Sequence, residues 1–562
     1  MKGHFPWHRP SRPNRLGWLN YIFPLLLLFF FFLPVLVALG EAFLPVEAWP
    51  GLLAFLRSRQ FRKVLVFTTT EAFWSALLSL ALALPGAYFF GRYRFPGKRL
   101  LKSMMVLPFM LPAILVVLAM VVFYGQNGVL NSCLALLFPG RKVSFTGLYG
   151  FNGIVLTHVF YNFGFCLRML SERWERISPQ LEEASAVLGA GRLTTWCRVI
   201  LPLLAPTIGY LGALVFLYSF LSFTVVLVLG GYLYQTFEVL IYIEYNNKLR
   251  FQQAAQLAAV QMLILAVILT FQRWTQHLAD RPTGAASPLP QWRLKKQRAG
   301  WIFFLFYLGG SLFFFFLPLF FVLLRSFKER GRPEGGWTLA NYRALWEPAF
   351  RFAVGTDLET VIGTSLLLAL TVGLATTVLA YLLARARRGL PWGRLDLWLQ
   401  LPMGVSFLTF AFGLLRLAGG FLPPVVLIIW AQIFLAFPLV YSLLRTACRE
   451  WGEELLAAAQ TLGAAGWELF RTVEFPLLRK ALTSAFAYGV ALSLGDLSAV
   501  LVLGQGKVIT LSVAVYRLIG HYHFPQAVAL GTLFILLAVL LFTLVEQGAA
   551  GEEPWKRGEG SR

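Results

Sequence analysis

The strongest constraint in this sequence is a pattern that occurs twice in one register, 274 residues apart. Residues 183–190 read EASAVLGA and residues 457–464 read AAAQTLGA, and in each copy a proline follows the glycine after thirteen positions. The same interval relates residues 226–230 to residues 500–504, which both read VLVLG. Two matched segments in one register indicate an internal duplication, and a duplication within an apolar chain is typical of transporters.

The composition is that of a polytopic membrane protein, because 58% of the residues are hydrophobic and only 13% are charged. Crossing a hydrocarbon core of roughly 30 Å takes about 20 apolar residues, and stretches of that length recur along the chain. The sequence therefore predicts an all-α integral membrane fold with about twelve transmembrane helices, six in each homologous half. The predicted spans are residues 18–39, 64–90, 104–124, 150–171, 205–230, 254–272, 301–325, 361–384, 396–416, 424–446, 481–504 and 526–546.

The boundary between the halves is predicted in a stretch rich in proline, glycine and basic residues, which is typical of a solvated linker. The predicted units are a first domain at 1–272 with a loop at 172–204, a cytoplasmic linker at 273–300, a second domain at 301–546 with a loop at 447–480, and a cytoplasmic tail at 547–562.

Basic residues set the orientation, because lysine and arginine accumulate in cytoplasmic loops. With the N-terminus inside, the cytoplasmic segments hold about 32 of the 49 basic residues. Both termini and both repeated motifs are therefore predicted to be cytoplasmic. The net charge of +23 is scattered over short loops between apolar spans, so membrane topology explains it better than nucleic-acid binding.

The loop that carries the first motif has helix signals of its own. Ser178 is a suitable N-cap and Pro179 suits the first helical position. Gly189 permits a turn, and a second short helix is predicted from Arg192 to Ile200, ended by Pro202. These signals predict a helix-turn-helix on the membrane surface.

With these residues the chain resembles the permease subunits of binding-protein-dependent ABC importers, as two type I permease domains fused. In that family the loop forms a coupling helix that docks on an ATPase subunit, and we call residues 172–204 and 447–480 the first and second coupling loops. Ala457 stands where the signature has a glutamate, so the two ATPase contacts are expected to be unequal unless Glu453 or Glu454, one turn earlier, substitutes. The residues that match the signature are Glu183, Ala184, Leu188, Gly189, Ala190, Leu201 and Pro202, then Ala458, Ala459, Leu462, Gly463, Ala464 and Pro476.

The resemblance implies partners as well as a fold: a dimer of ABC ATPase subunits that binds ATP and Mg²⁺, an extracytoplasmic solute-binding protein, and the bilayer of the inner membrane. The chain itself lacks the G-x-x-x-x-G-K-[ST] phosphate loop, so ATP hydrolysis is assigned to the partner. We predict no catalytic, cofactor-binding or metal-binding residues in this chain. Several local strings are similar to the thiamine permeases of the family, with ferric iron permeases as the alternative.

Polar groups inside apolar spans are costly and are therefore candidates for the transport pathway. Asp496 lies within span 481–504, and its carboxylate is suited either to attract a cationic solute or to hydrogen-bond a neighbouring helix. His158 and Asn162 are four residues apart on one helix face, and they too either line a path or bond between helices. The phenylalanine runs 29–32 and 313–316 cover every face of their helices and are interpreted as lipid-facing surface.

Two other classes of protein remain as alternatives. An ion-coupled secondary transporter also uses internal repeats, but it does not require paired loops that match an ATPase-docking signature. A membrane-embedded enzyme needs clustered histidine, acidic or cysteine side chains, whereas the six histidines and four cysteines of this chain are dispersed.

Overall fold

The protein is almost entirely helical, as its composition predicts. Two short strands, β1 at Tyr93–Arg94 and β2 at Trp292–Arg293, pair in parallel. The computed structural model describes residues 19–44, 48–139, 143–231, 233–279, 292–293, 298–328, 336–386, 396, 399, 402, 405–450, 453–464 and 466–549.

The first half contains thirteen α-helices within the described residues. A π turn at Trp196–Ile200 joins the ninth helix to the tenth, and another at Ile243–Asn247 extends the twelfth. The helices are α1 Leu19–Phe43, α2 Ala48–Arg57, α3 Arg59–Arg92, α4 Lys98–Met110, α5 Ala113–Tyr124, α6 Val129–Leu137, α7 Phe151–Glu175, α8 Pro179–Val187, α9 Arg192–Thr195, α10 Leu201–Phe220, α11 Thr224–Leu229, α12 Phe237–Tyr242 and α13 Phe251–Ala279.

The second half repeats the later part of this order within the described residues, with a π turn at Phe470–Glu474 in the matching position and a 3₁₀ turn at Ala344–Trp346. Its helices are α14 Arg298–Ser326, α15 Ala340–Arg343, α16 Pro348–Val354, α17 Leu358–Ala386, α18 Phe407–Ala418, α19 Pro424–Glu450, α20 Glu453–Thr461, α21 Gly466–Leu469, α22 Phe475–Gly495, α23 Ser498–Leu503, α24 Leu511–Gly520 and α25 Phe524–Ala549.

Ten helical segments of the described chain are long and apolar enough to cross a membrane, against the twelve predicted. The ninth predicted span, 396–416, is described only in part, and its helix α18 has 12 residues. The eleventh, 481–504, does not form one helix, because α22 ends at Gly495 and α23 begins at Ser498. The predicted linker 273–300 is also described only in part, since α13 continues to Ala279 and α14 starts at Arg298.

Two further predicted spans are divided by breaks. Span 104–124 is split at Leu111 and Pro112, because the proline cannot donate a helical hydrogen bond and disfavours a helical residue before it. Span 205–230 is split between Phe220 and Thr224. Beyond that second break, α11 reaches the end of the molecule opposite the coupling loops, where Leu229 accepts a hydrogen bond from Gly150 N at the start of α7.

After α11 the chain turns back to the break at Ser222 before α12 begins. Thr236, just before α12, donates a side-chain hydrogen bond to Ser222 O at 3.2 Å. In the second half, Ser512 at the start of α24 donates to Leu494 O at 2.8 Å. Each half therefore contains a re-entrant helix-loop-helix at the end opposite its coupling loop.

The first helix of each half packs against the other half. In α1, the ring of Phe31 lies 5.4 Å from the ring of Phe434 in α19, between ring centroids. In α14, the ring of Phe315 stacks at 4.8 Å on Phe163 in α7. The interpretation of both phenylalanine runs as wholly lipid-facing is therefore wrong, because Phe31 and Phe315 are buried while Phe29 is exposed. Each half thus contributes its first helix to the packing of the other half, and we call this the exchange of first helices.

Candidate functional site: two coupling loops and two helix breaks

The first coupling loop folds as a helix that ends in a glycine turn. Ser178 accepts a hydrogen bond from Gln180 N at 3.3 Å, and Pro179 occupies the first turn of α8. Gly189 has φ +81°, in the left-handed region that favours glycine. Gly189 N donates to Ala186 O and Ala190 N donates to Ser185 O, both at 3.0 Å, which is the pattern of a Schellman C-cap.

The second coupling loop has the same turn. Gly463 has φ +93°, Gly463 N donates to Gln460 O, and Ala464 N donates to Ala459 O, both at 3.0 Å. In neither loop would a Cβ on this glycine meet another atom within 4 Å. The glycine is therefore required by the backbone conformation and not by a lack of space.

The helix after the first turn does not stop where the sequence predicts. The expected end at Pro202 is wrong: the chain passes from α9 through the π turn into α10 as one continuous helix, with Leu201 N bonded to Trp196 O. A π turn is wider than an α turn, which relieves the clash between the proline ring and the preceding turn. Pro476 lies in the second half in the same relation to the π turn Phe470–Glu474. Each coupling loop thus continues rigidly into a membrane helix.

Large apolar side chains project from both loops at matching positions. Leu188 is 86% exposed and its counterpart Leu462 is 89% exposed. Leu193 is 77% exposed, and Trp467 in the matching position is 72% exposed. Exposed apolar clusters of this kind mark surfaces that bind another protein. Of the other predicted docking residues, Glu183, Ala184, Ala458, Pro202 and Pro476 are exposed, and Ala190 and Ala464 are half-buried.

The two loops are anchored differently, the first to α3 and the second to α17. Arg92, buried at the end of α3, forms an ion pair with Glu182 and donates to Ile177 O at 2.6 Å. In the second half, Arg385 at the end of α17 lies 3.0 Å from Glu474, which lies in the π turn and not in the preceding helix. The first anchor therefore holds α8 itself, and the second holds the start of the membrane helix.

A second contact is confined to the first loop. Ser185 and Thr195 are buried and share a hydrogen bond that closes α8 onto α9. The matching residues are Ala459 and Leu469, whose side chains cannot form such a bond. The first coupling loop is thus fastened by polar contacts that its counterpart lacks.

A polar side chain from a long helix contacts the break in the following broken helix, once in each half. His158 Nε2 of α7 lies 2.8 Å from Ser222 Oγ, between α10 and α11. Gln432 of α19, at the matching position, donates to Asp496 Oδ2 at 3.1 Å, between α22 and α23. Broken helices of this kind are where transporters commonly bind solutes and ions.

Asp496 is buried and caps α23. Its Oδ1 accepts hydrogen bonds from Ser498 N at 3.0 Å and Ala499 N at 3.2 Å. Gln432 is itself oriented by Ser493, which donates to its Oε1 at 2.6 Å. Asn162 donates to His158 O at 2.9 Å, one turn earlier in the same helix. His158 and Asp496 thus lie at helix breaks, whereas the described hydrogen bond of Asn162 is within α7.

Sequence reasoning did not select Glu71, a fully buried residue of α3 whose carboxyl group lies within ion-pair distance of His158 Nδ1. The available signal was a lone carboxylate inside an apolar span. Glu238, also buried, accepts a hydrogen bond from Gln261 at 2.7 Å. Within the described part of the chain, no three His, Cys, Asp or Glu side chains come together as metal ligands.

Comparison with known proteins identifies relatives along nearly the whole chain. The thiamine transport system permease protein ThiP of Escherichia coli (strain K12) is 29% identical over 499 residues, which cover 86% of this chain and 88% of the relative. The proteins of the same name in Haemophilus influenzae and Brucella abortus (strain 2308) are 27% and 26% identical, over 88% and 87% of this chain and 89% and 88% of their own lengths.

A family profile described as the binding-protein-dependent transport system inner membrane component matches the chain twice, at residues 83–283 and 298–547. Each match contains one coupling loop and one of the helix breaks described above. The repeat recognised in the sequence is therefore a repeat of the family domain. The chain belongs to the family of binding-protein-dependent transport system inner membrane components, as a fusion of two such domains and a homologue of the ThiP thiamine permeases.

Proposed function

We propose that this chain is the transmembrane permease subunit of an ABC importer that takes up thiamine or its phosphates. A solute-binding protein delivers the solute at the outer face, and a separate pair of ATPase subunits binds ATP and Mg²⁺ beneath the two coupling loops. Both termini lie on the cytoplasmic side with those loops. The chain itself performs no covalent chemistry.

The observation that carries the importer function is the pair of exposed apolar coupling loops. Leu188 and Leu462 project at matching positions beside the same left-handed glycine turn, and the chain repeats this geometry once in each half. Two equivalent docking surfaces fit a partner that is itself a dimer. An ion-coupled secondary transporter has no use for such a pair.

The proposed solute rests on the similarity to three ThiP proteins over more than four fifths of the chain. At 26–29% identity, this similarity supports a solute class and not a particular side-chain contact. Thiamine is therefore the first solute to test, together with its phosphate esters, and ferric iron is the comparison solute.

The continuous helices suggest how ATPase movement reaches the pathway. A displaced coupling loop carries its π turn and α10 or α22 with it, because no break interrupts the helix before Leu221 or Asp496. The helix breaks then act as hinges at which His158, Asn162 and Asp496 adjust their contacts. Alternating access follows if the two halves rock about these hinges.

The test is the ATPase rate of the purified complex in lipid, measured with binding protein loaded with thiamine, a thiamine phosphate or ferric iron. We expect stimulation by the thiamine-loaded or thiamine phosphate-loaded protein and not by the iron-loaded one. Stimulation by iron alone would retain the importer and overturn the solute. Failure of the chain to co-purify with any ATPase would overturn the importer function itself.

The docking surface has a matched control within the chain. Leu188→Asp and Leu462→Asp place a charge in the proposed contact, and each should reduce recovery of the ATPase subunit. Leu233→Asp introduces the same change at a leucine that is 89% exposed on the loop at the opposite end of the helices. That control should leave ATPase recovery unchanged, and equal losses in all three variants would argue against docking at the coupling loops.

A further inference from the structure

A cavity of about 380 Å³ lies between the two halves at the end of the helices opposite the coupling loops. Tyr242 and Asn246, from α12 and its π turn, form one side, and Gln505, Gly506, Val513 and Arg517, from the re-entrant segment of the second half, form much of the other. Small-molecule sites typically occupy about 300–1,000 Å³ and often lie at domain interfaces. The position and size of this cavity fit a solute that enters between the halves.

The charged group in this cavity is a guanidinium. Arg517 Nη1 donates to Val354 O at 2.5 Å, which fixes the side chain against the end of α16. Its Nη2 lies toward Gly506, 3.8 Å from where a Cβ of that residue would be. Within the described residues, no carboxylate lies within ion-pair distance of Arg517. A fixed guanidinium with further N–H donors is suited to a phosphate or carboxylate group.

Amide side chains from both halves add donors beside the guanidinium. Gln505 has φ +48°, whereas the matching residue of the first half is Gly231, with φ +58°. Gln505 therefore has a left-handed backbone conformation at a position where the first half has glycine. Backbone strain of this kind is common at functional sites. Asn246 approaches from the first half, and its amide nitrogen donates to Tyr242 Oη at 3.4 Å and to Asn247 Oδ1 at 3.3 Å, which are both long hydrogen bonds.

The cavity also offers an aromatic ring. Tyr242 is half-buried, and its ring is held by an edge contact with Phe223 at 5.3 Å. A flat ring beside an anion-binding group suits a solute that joins an aromatic system to a phosphate. The cavity-lining residues include no aspartate or glutamate to neutralise Arg517, so a solute that carries only positive charge is disfavoured there.

From this geometry we propose that the cavity binds the phosphate ester of the incoming solute, with Arg517 as a specificity-determining residue that favours phosphorylated over unphosphorylated thiamine. The inference rests on the proposed thiamine importer function. It adds to that function a defined site and a preference among the solute forms.

The experiment compares uptake of thiamine and thiamine monophosphate into proteoliposomes that contain the complete transporter with its binding protein. The measured quantity is the ratio of uptake efficiency for the phosphate over thiamine. Arg517→Gln should lower this ratio about tenfold or more, because the phosphate loses a hydrogen bond to a charged group. Asn246→Ala should lower the ratio by a smaller factor, about two- to tenfold. Arg351→Gln alters an exposed arginine outside the cavity and should leave the ratio unchanged.

The outcomes separate this inference from the proposed function. Uptake of neither solute by the unaltered transporter would overturn the proposed thiamine importer function. Uptake of both solutes, with the same ratio in Arg517→Gln as in the unaltered protein, would overturn only the phosphate site. Equal weakening of binding-protein association with either solute would mean that the cavity receives a side chain of the binding protein, and the proposal would be wrong. Arg517→Gln could fail to assemble, because Val354 O loses its donor. The uptake ratio of Gln505→Gly and of Asn246→Ala then tests the site, and an unchanged ratio in both variants would overturn the proposal.

Discussion

Gln432 donates a hydrogen bond to Asp496 at 3.1 Å and so ties the long helix α19 to the break between α22 and α23. The first half makes the corresponding contact with different chemistry, because His158 and Ser222 stand at the matching positions. His158 also faces the carboxylate of Glu71. The two halves therefore share the position of a polar connection to a helix break. The carboxyl group at that connection belongs to α3 in one half and to the break itself in the other.

Replacing Asp496 tests whether its carboxylate acts through charge or as a helix cap. Asp496→Asn keeps one oxygen that can accept from Ser498 N and Ala499 N, and asparagine is a good N-cap, but its amide nitrogen cannot accept the hydrogen bond from Gln432. Asp496→Ala removes the cap at a cost of about 0.5–2 kcal/mol and leaves Gln432 without its acceptor. We expect Asp496→Asn to retain thiamine uptake, and Asp496→Ala to lower both the thermal unfolding midpoint and uptake.

The contrary result would be equally informative. If Asp496→Asn abolished uptake while its unfolding midpoint stayed at the original value, the negative charge would act on a cationic solute and not on α23. Ser498→Ala removes only the side-chain hydrogen bond of Ser498 to Asp496, while its backbone N–H still bonds to Oδ1, so its effect should be smaller than that of Asp496→Ala.

The contact between Arg92 and Glu182 predicts an asymmetric response of the two coupling loops. Arg92 is buried and Glu182 is partly exposed, so the single substitutions Arg92→Gln and Glu182→Gln should each impair solute-stimulated ATPase activity. The measurement is a double-mutant cycle, in which the stabilities of the two single variants and of the double variant are derived from their unfolding midpoints. Because the pair is partly screened by solvent, we expect a coupling energy of about 1 kcal/mol or less.

Arg385→Gln is the counterpart in the second half, and its effect should not depend on whether residue 182 is altered. Additive effects of Arg92→Gln and Glu182→Gln would show that the ion pair contributes nothing measurable to the position of α8.

The sequence was informative where a local pattern sufficed. Ser178 and Pro179 predicted the start of α8, and the repeated glycine predicted the turn that Gly189 and Gly463 make, because capping and left-handed backbone depend on residues a few positions apart. The end of the following helix was predicted incorrectly from Pro202. A proline signals a helix end only for α-type hydrogen bonding, and the π turn that accommodates it has no comparable sequence signal.

Contacts between distant segments could not be predicted from local sequence patterns. Nothing near Phe31 distinguishes it from Phe29, yet one packs on α19 and the other is exposed. Lipid and a packed protein interface are both apolar. The sequence of a helix with phenylalanine on every face therefore does not indicate which face contacts protein. The pairing of His158 with Glu71 was hidden for a related reason, since each is a single polar residue in its own apolar span.

The exchange of first helices gives a matched pair of substitutions in α1. Phe31 is 3% exposed and contacts Phe434 and Phe437, whereas Phe29, two residues away, is 57% exposed. Phe31→Ala should lower the unfolding midpoint clearly, at or below the ~3–5 kcal/mol of buried Phe→Ala changes in soluble cores, because lipid already solvates apolar side chains. Phe29→Ala should change it little. Equal effects would indicate that α1 does not pack on α19 in the membrane.

We expect ATPase binding to be sensitive to a single methyl group added at the left-handed glycine of either coupling loop. Gly189→Ala and Gly463→Ala each place a Cβ in open space, so any loss must come from the backbone, where a left-handed conformation costs about 1–2 kcal/mol. We expect each substitution to weaken ATPase subunit binding up to about tenfold, measured as the concentration of ATPase subunit that gives half-maximal activity.

Gly191→Ala provides the control for this turn. Gly191 lies two residues from Gly189, a Cβ added to it would likewise meet no other atom within 4 Å, and its φ is outside the left-handed region. The added methyl group should therefore leave ATPase binding unchanged. If Gly191→Ala weakened binding as much as Gly189→Ala, the ATPase would be excluded by the methyl group itself, and the left-handed turn would not be what presents Leu188 to its partner.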